Sequence, residues 1–119
     1  MSASPPGAAD ITGALLGGAT GRFRAVVEAC EPGTIAGTGF VDPASSLGEG
    51  GTWRLLVAEG DVVAAGQPLI ELIGYAARLG IAEDHVLGPL GFASGIATRA
   101  RQFRAAAPPG LSIACGGWK

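Results

Sequence analysis

Ala82-Glu83-Asp84-His85-Val86-Leu87-Gly88-Pro89-Leu90-Gly91-Phe92-Ala93-Ser94-Gly95-Ile96-Ala97-Thr98-Arg99 is the stretch on which the fold of this chain turns. Val86, Leu90, Ala93 and Ala97 recur at i, i+4, i+7 and i+11, and Phe92, Ile96 and Phe103 widen the apolar surface. That spacing belongs to an α-helix with a buried side, running from about Tyr75 to Ala106. Gly88-Pro89 and Ser94-Gly95 interrupt it, so the pattern predicts two or three kinked helical segments. Pro108-Pro109-Gly110 stops the run, and Leu111 to Cys115 reads as the first strand of a further unit.

Upstream of the helix the period is two. From Arg22 to Glu28, Phe23, Ala25 and Val27 alternate with Arg24, Val26 and Glu28, which reads as a strand. Glu31-Pro32-Gly33-Thr34 is a turn signal, followed by a short Ile35-Ala36-Gly37 element, and Asp42 to Gly51 has the composition of a surface loop. Thr52 to Val57 and Leu69 to Ile73 read as further strands, with Val62-Val63 a short extended piece between two glycine turns. The expected fold class is therefore α+β, a small curved antiparallel sheet followed by kinked helices.

The chain has 119 residues, room for one domain. Its 21 glycines and 8 prolines approach the range of low-complexity chains, but 48% hydrophobic and 15% charged residues are enough to bury a core. Net charge is −2, which gives no general attraction to nucleic acid or to an anionic membrane. The charge is unevenly spread: every acidic residue lies at or before Asp84, and from His85 onward only Arg99, Arg101, Arg104 and Lys119 are charged. An anionic ligand would go to this basic third, unless the arginines are simply a solvated helix face or an interface. Met1-Ser2-Ala3-Ser4-Pro5-Pro6-Gly7 shows no secretory signal, so a cytoplasmic location is expected. Cys30 and Cys115 fit no paired or metal-binding spacing and read as partly buried free thiols.

Gly60-Asp61-Val62-Val63-Ala64-Ala65-Gly66-Gln67-Pro68-Leu69 resembles the turn-rich sequence of biotinyl and lipoyl carrier domains. Those domains attach their cofactor to a hairpin lysine, and the only lysine here is Lys119, so the chemistry excludes a carrier. A second resemblance covers nearly the whole chain. Asp10-Ile11-Thr12, the Val26–Gly37 strand and turn, the Gly60-Asp61…Gly66 hairpin, Gly74-x-Ala76-x-x-Leu79, and above all Ala82-Glu83-x-x-x-Leu87…Ser94-Gly95-Ile96-Ala97-Thr98 follow in order. Together they resemble the N-terminal domain of the quinolinate phosphoribosyltransferase family, including its molybdenum-transport-associated paralogues.

This resemblance implies an N-terminal domain that packs on an α/β barrel and lids the partner subunit's active site in a dimer. On this reading residues 1–9 are a frayed terminus, 10–110 the domain, and 111–119 the start of a barrel. A barrel needs well over 119 residues, so the chain is expected to be a fragment or half of a split protein, inactive alone. The implied substrates are phosphoribosyl pyrophosphate and a pyridine-type nitrogen heterocycle, with Mg²⁺ in the full-length parent and none bound here. Lys119 falls on the lysine of the family's Thr-Arg-Lys motif, where it would touch a phosphate oxygen, and Trp118 stands where the arginine would be. The family's arginine after Ala-Glu falls on Asp84. Two carboxylate-binding residues are thus replaced, which implies a heterocycle with fewer carboxylates than quinolinate, stacked on Trp118. Arg101 and Arg104, at i and i+3, share a helix face as candidate phosphate or interface residues. His85 beside Asp84 reads as a surface pair, Glu83 as a residue that fixes helix geometry, and Ser94 and Thr98 as helix-packing residues. The expected partners are a second copy or a barrel domain, not nucleic acid or a membrane. The competing reading is a non-catalytic interaction module that docks on a separate barrel chain.

Overall fold

The computed structural model describes residues 21–114. Strand β1, Arg22–Glu28, has the bounds its alternation predicts. It is followed by β2 (Gly33–Thr34), a 3-10 turn at Thr38–Phe40, the one-turn helix α1 (Ala44–Leu47), β3 (Thr52–Leu55), β4 (Val62–Val63), β5 (Pro68–Tyr75) and the long helix α2 (Ala76–Ala106). Two antiparallel sheets result: β1-β5-β3, and the two-residue pair β2-β4. The α+β class read from the sequence holds.

β5 is the central strand and carries the core. Its Ile70 and Leu72 are almost fully buried, and they share a cluster with Ala82, Val86 and Leu90 of α2. Period two along the strand meets the i, i+4 period of the helix, and each large aliphatic group removed from water stabilises the pair by about 1.5–3 kcal/mol. Glu71, on the other face of β5, is bridged to Arg24 of β1 at 2.6 Å and to Arg54 of β3 at 3.6 Å. One carboxylate thus ties all three strands, although the exposed arginines keep its contribution small.

Two expectations are corrected. The helix is not divided: all 31 residues from Ala76 to Ala106 run as one helix through Gly88-Pro89 and Ser94-Gly95. Pro89 removes a single N–H from the ladder, and the buried Val86 and Leu90 on either side hold the helix to the sheet across that gap. The stretch 42–51 is not all surface loop. It contains α1, and Leu47, Ser46 and Pro43 are buried, with Leu47 sealing one end of the core. Helix α2 ends where the sequence requires, since Pro108 disfavours a helical residue before it, and the Ala107 N–H bonds back to Arg104. Leu111–Ala114 pairs with no strand among the described residues. The N-terminal residues expected to be frayed lie outside the described residues.

Candidate functional site

The Ser94–Thr98 segment is where α2 is fastened to the rest of the domain. Ser94 Oγ accepts the N–H of Ala36 at 3.0 Å and donates to the carbonyl of the same residue at 3.2 Å. One helical turn on, Thr98 Oγ1 accepts the Thr34 N–H at 2.9 Å. Two hydroxyls at i and i+4 therefore satisfy the free edge of β2 and its continuation, which no strand covers on that side among the described residues. Close approach demands small residues opposite. Gly37, at φ +84°, sits so near the helix that a Cβ would lie 2.8 Å from Ala93 Cβ and 2.9 Å from the Pro89 carbonyl oxygen.

Glu59 fixes the other side of the same turn. Its carboxylate accepts the Gly37 N–H at 3.1 Å, the Thr38 N–H at 3.0 Å and the Thr38 hydroxyl at 2.7 Å. The Thr38 hydroxyl first, then the two amides, hold its carboxyl below the usual range. A group whose folded pKa is depressed stabilises the fold above its unfolded pKa and loses that contribution as pH falls through the folded value. Glu59→Gln is therefore expected to destabilise the domain at neutral pH, with the difference from wild type shrinking below about pH 4. Urea titrations of both proteins across that range are the check; a pH-independent difference contradicts the assignment.

Beside this fastening lies a cleft of about 380 Å³ lined by Cys30, Thr34, Leu87, Gly91, Gly95 and Arg99, among others. Cys30 is free and exposed at its rim, which corrects the expectation of partial burial, and Cys115 lies outside the described residues. Arg99 lies over the Phe103 ring, 5.0 Å from its centroid, and reaches Gln102 at 3.3 Å. Arg101 and Arg104 are exposed on the last turns of α2, and Asp84 is half-buried in its first third. At 1.5 Å per residue, Asp84 and Arg101 stand about 25 Å apart along one helix, so a single protomer does not bring them together. Trp118 and Lys119 lie outside the described residues.

The sequence reading missed one pairing: His85 is bound through Nδ1 to the buried Ser46 hydroxyl of α1 at 2.7 Å, so it docks α1 onto α2 rather than only flanking Asp84. Val86 and Leu90 lie on the buried side that their spacing predicts and face the sheet, whereas Phe92, Ile96 and Phe103 form an exposed apolar stripe, with Phe92 70% exposed. Those three fall at i, i+4 and i+11, a second helical stripe legible in the sequence.

A family profile for the N-terminal domain of quinolinate phosphoribosyl transferase matches residues 10–94, which include every strand among the described residues and α2 as far as Ser94. The chain belongs to that family. Among solved structures it is similar to the nicotinate-nucleotide pyrophosphorylase from Francisella tularensis, at TM-score 0.72 and 22% identity over 83% of this chain and 35% of that one. It is also similar to NadC from Streptococcus pyogenes, at TM-score 0.63 and 26% identity over 72% of this chain and 32% of that one. The chain thus spans about a third of the length of these relatives. No curated protein matches it. Among the described residues, no helix is long and apolar enough to cross a membrane.

Proposed function

We propose that this domain is the dimerising, substrate-lidding part of an enzyme that transfers phosphoribose from phosphoribosyl pyrophosphate to a pyridine-type nitrogen heterocycle, and that it is inactive alone. It would work in the cytoplasm against an α/β barrel beginning near residue 111. The observation that carries this reading is the outward face of α2, where Phe92, Ile96 and Phe103 stay exposed while Ser94 and Thr98 fasten the opposite face. An apolar stripe of this kind on a fastened helix fits a surface that another domain covers.

The reaction is displacement at the ribose anomeric carbon, with pyrophosphate leaving and cationic groups stabilising its charge. Lys119 is assigned to a phosphate oxygen, Trp118 to stacking on the heterocycle, and Arg101 with Arg104 to the phosphate entry or the subunit interface. Within one protomer Arg101 stands about 25 Å from Asp84 along α2, which supports assigning the two to different substrate contacts. Mg²⁺ in the full-length parent would help to stabilise the charge of the leaving pyrophosphate.

Asp84 supports a second reading, a non-catalytic module that docks on a separate barrel chain. A carboxylate where the family carries an arginine repels an acidic substrate. Assay of the domain joined to a family barrel, with quinolinate and phosphoribosyl pyrophosphate, separates the two. Asp84→Arg is expected to raise kcat/KM for quinolinate by roughly 10- to 100-fold, the worth of one charge-assisted contact of about 1.5–3 kcal/mol. Absence of product with any pyridine acceptor in both proteins leaves the docking module as the function.

A further inference from the structure

The three-stranded sheet ends on β1, whose outer edge pairs with no strand among the described residues. Ala29, just beyond it, gives its N–H to Gln67 and accepts that of Gly66, so odd-numbered residues of this strand direct their backbone groups toward β5. Arg22, Arg24, Val26 and Glu28 turn theirs outward. The strand is regular along its length, because the irregularity at Val27/Glu28 inserts its extra residue into β5. An edge is ordinarily guarded by proline, by a bulge, or by charges that repel an incoming strand. Arg22-Phe23-Arg24-Ala25-Val26-Val27-Glu28 has no proline, and its charges are of both signs, basic at one end and acidic at the other.

We propose that β1 pairs with β1 of a second copy of this chain, antiparallel about a two-fold axis at Ala25, joining two sheets into one of six strands. In that register Arg22 faces Glu28 of the second copy twice over, in hydrogen-bonded pairs, and Phe23 faces Val27 in the closer non-hydrogen-bonded pairs. Neighbouring registers fail. Sliding two residues one way opposes the two Arg24 side chains. Sliding the other way sets Arg24 against Glu28, although Arg24 already binds Glu71 at 2.6 Å, and leaves Arg22 beyond the ladder. Among the described residues Arg22 and Glu28 have no ion-pair partner of their own.

A second observation favours the same occupant. Along the helix side of β1 runs an apolar cleft of about 370 Å³, lined by Phe23, Ala25, Val27, Leu72, Leu79 and Gly80, with Phe23 48% exposed. The pairing sets Phe23 of the second copy beside Val27 on this face, where it fills space that β1 alone leaves open.

Sedimentation of the 119-residue chain over a concentration series tests the pairing. The expected result is a reversible dimer that Glu28→Arg and Arg22→Glu each weaken about tenfold at low salt, by creating two like-charge pairs, and that the double exchange restores. Circular dichroism of each variant guards against misfolding. In a Cys30→Ser, Cys115→Ser background, Ala25→Cys is expected to form a disulfide-linked dimer on oxidation, since opposed non-hydrogen-bonded residues place their Cα atoms about 4.5 Å apart. A monomer at all concentrations, an association unchanged by either charge reversal, or one abolished only by Phe92→Ser and Phe103→Ser on α2 overturns the proposal.

Discussion

Replacing Gly37 with alanine is expected to destabilise this domain by about 3 kcal/mol, from two independent causes. Gly37 holds φ +84°, a left-handed conformation that costs an alanine roughly 1–2 kcal/mol. The added Cβ would also meet Ala93 Cβ at 2.8 Å and the Pro89 carbonyl at 2.9 Å, and neither is the yielding end of a flexible side chain. Forcing the helix away costs a further ~1–3 kcal/mol, as overpacking does in a well-filled interior. A domain of this size has about 5–15 kcal/mol in all, so the loss should be plain in a urea midpoint. Gly39 is the control, having open space where its Cβ would go and no positive φ, and Gly39→Ala should stay within about 0.5 kcal/mol. Equal effects at the two glycines contradict the close approach of strand and helix.

Ser94→Ala is expected to cost about 2–3 kcal/mol. The serine hydroxyl serves both backbone groups of Ala36, and its loss leaves a partly buried donor and a partly buried acceptor unpaired at once. Thr98→Val keeps the shape of the side chain and removes one acceptor, so it should cost about half as much. Because both hydroxyls hold one strand, the double variant should lose less than the sum. Full additivity would show that the two points act separately.

The strands were legible because period two is visible over a few residues. β1 has the predicted bounds, while β5 begins one residue early and runs two residues further, through Gly74 and Tyr75. Helix α1 was hidden, since Pro43, Ser45, Ser46 and Gly48 have turn chemistry and one turn is too short for a helical period. Gly88-Pro89 suggested a break because local propensity counts the lost N–H but not the core that holds Val86 and Leu90. At the fastening, Ser94 and Thr98 could be singled out, but their partners could not. A bond to the backbone of Thr34 or Ala36 leaves no mark on the identity of those residues. Glu59 was hidden for the same reason, reading only as part of a glycine turn. The spacing of Asp84 from Arg101 needed the helix to be known as one piece.

That continuity makes α2 a lever. Its fulcrum lies at the two hydroxyls, with about 12 Å of helix beyond Thr98 and about 27 Å before Ser94. A tilt of roughly 10° about this point would swing the Ala106 end by about 2 Å and the Ala76 end by nearly 5 Å, in opposite senses. The longer arm is clamped by the core through Ala82, Val86 and Leu90, whereas the shorter arm has no buried residue. Strain entering at Pro108 is therefore borne first by Thr98 and Ser94. Whatever follows Pro108 is aimed by a stiff rod whose pointing error is set by two hydroxyl groups.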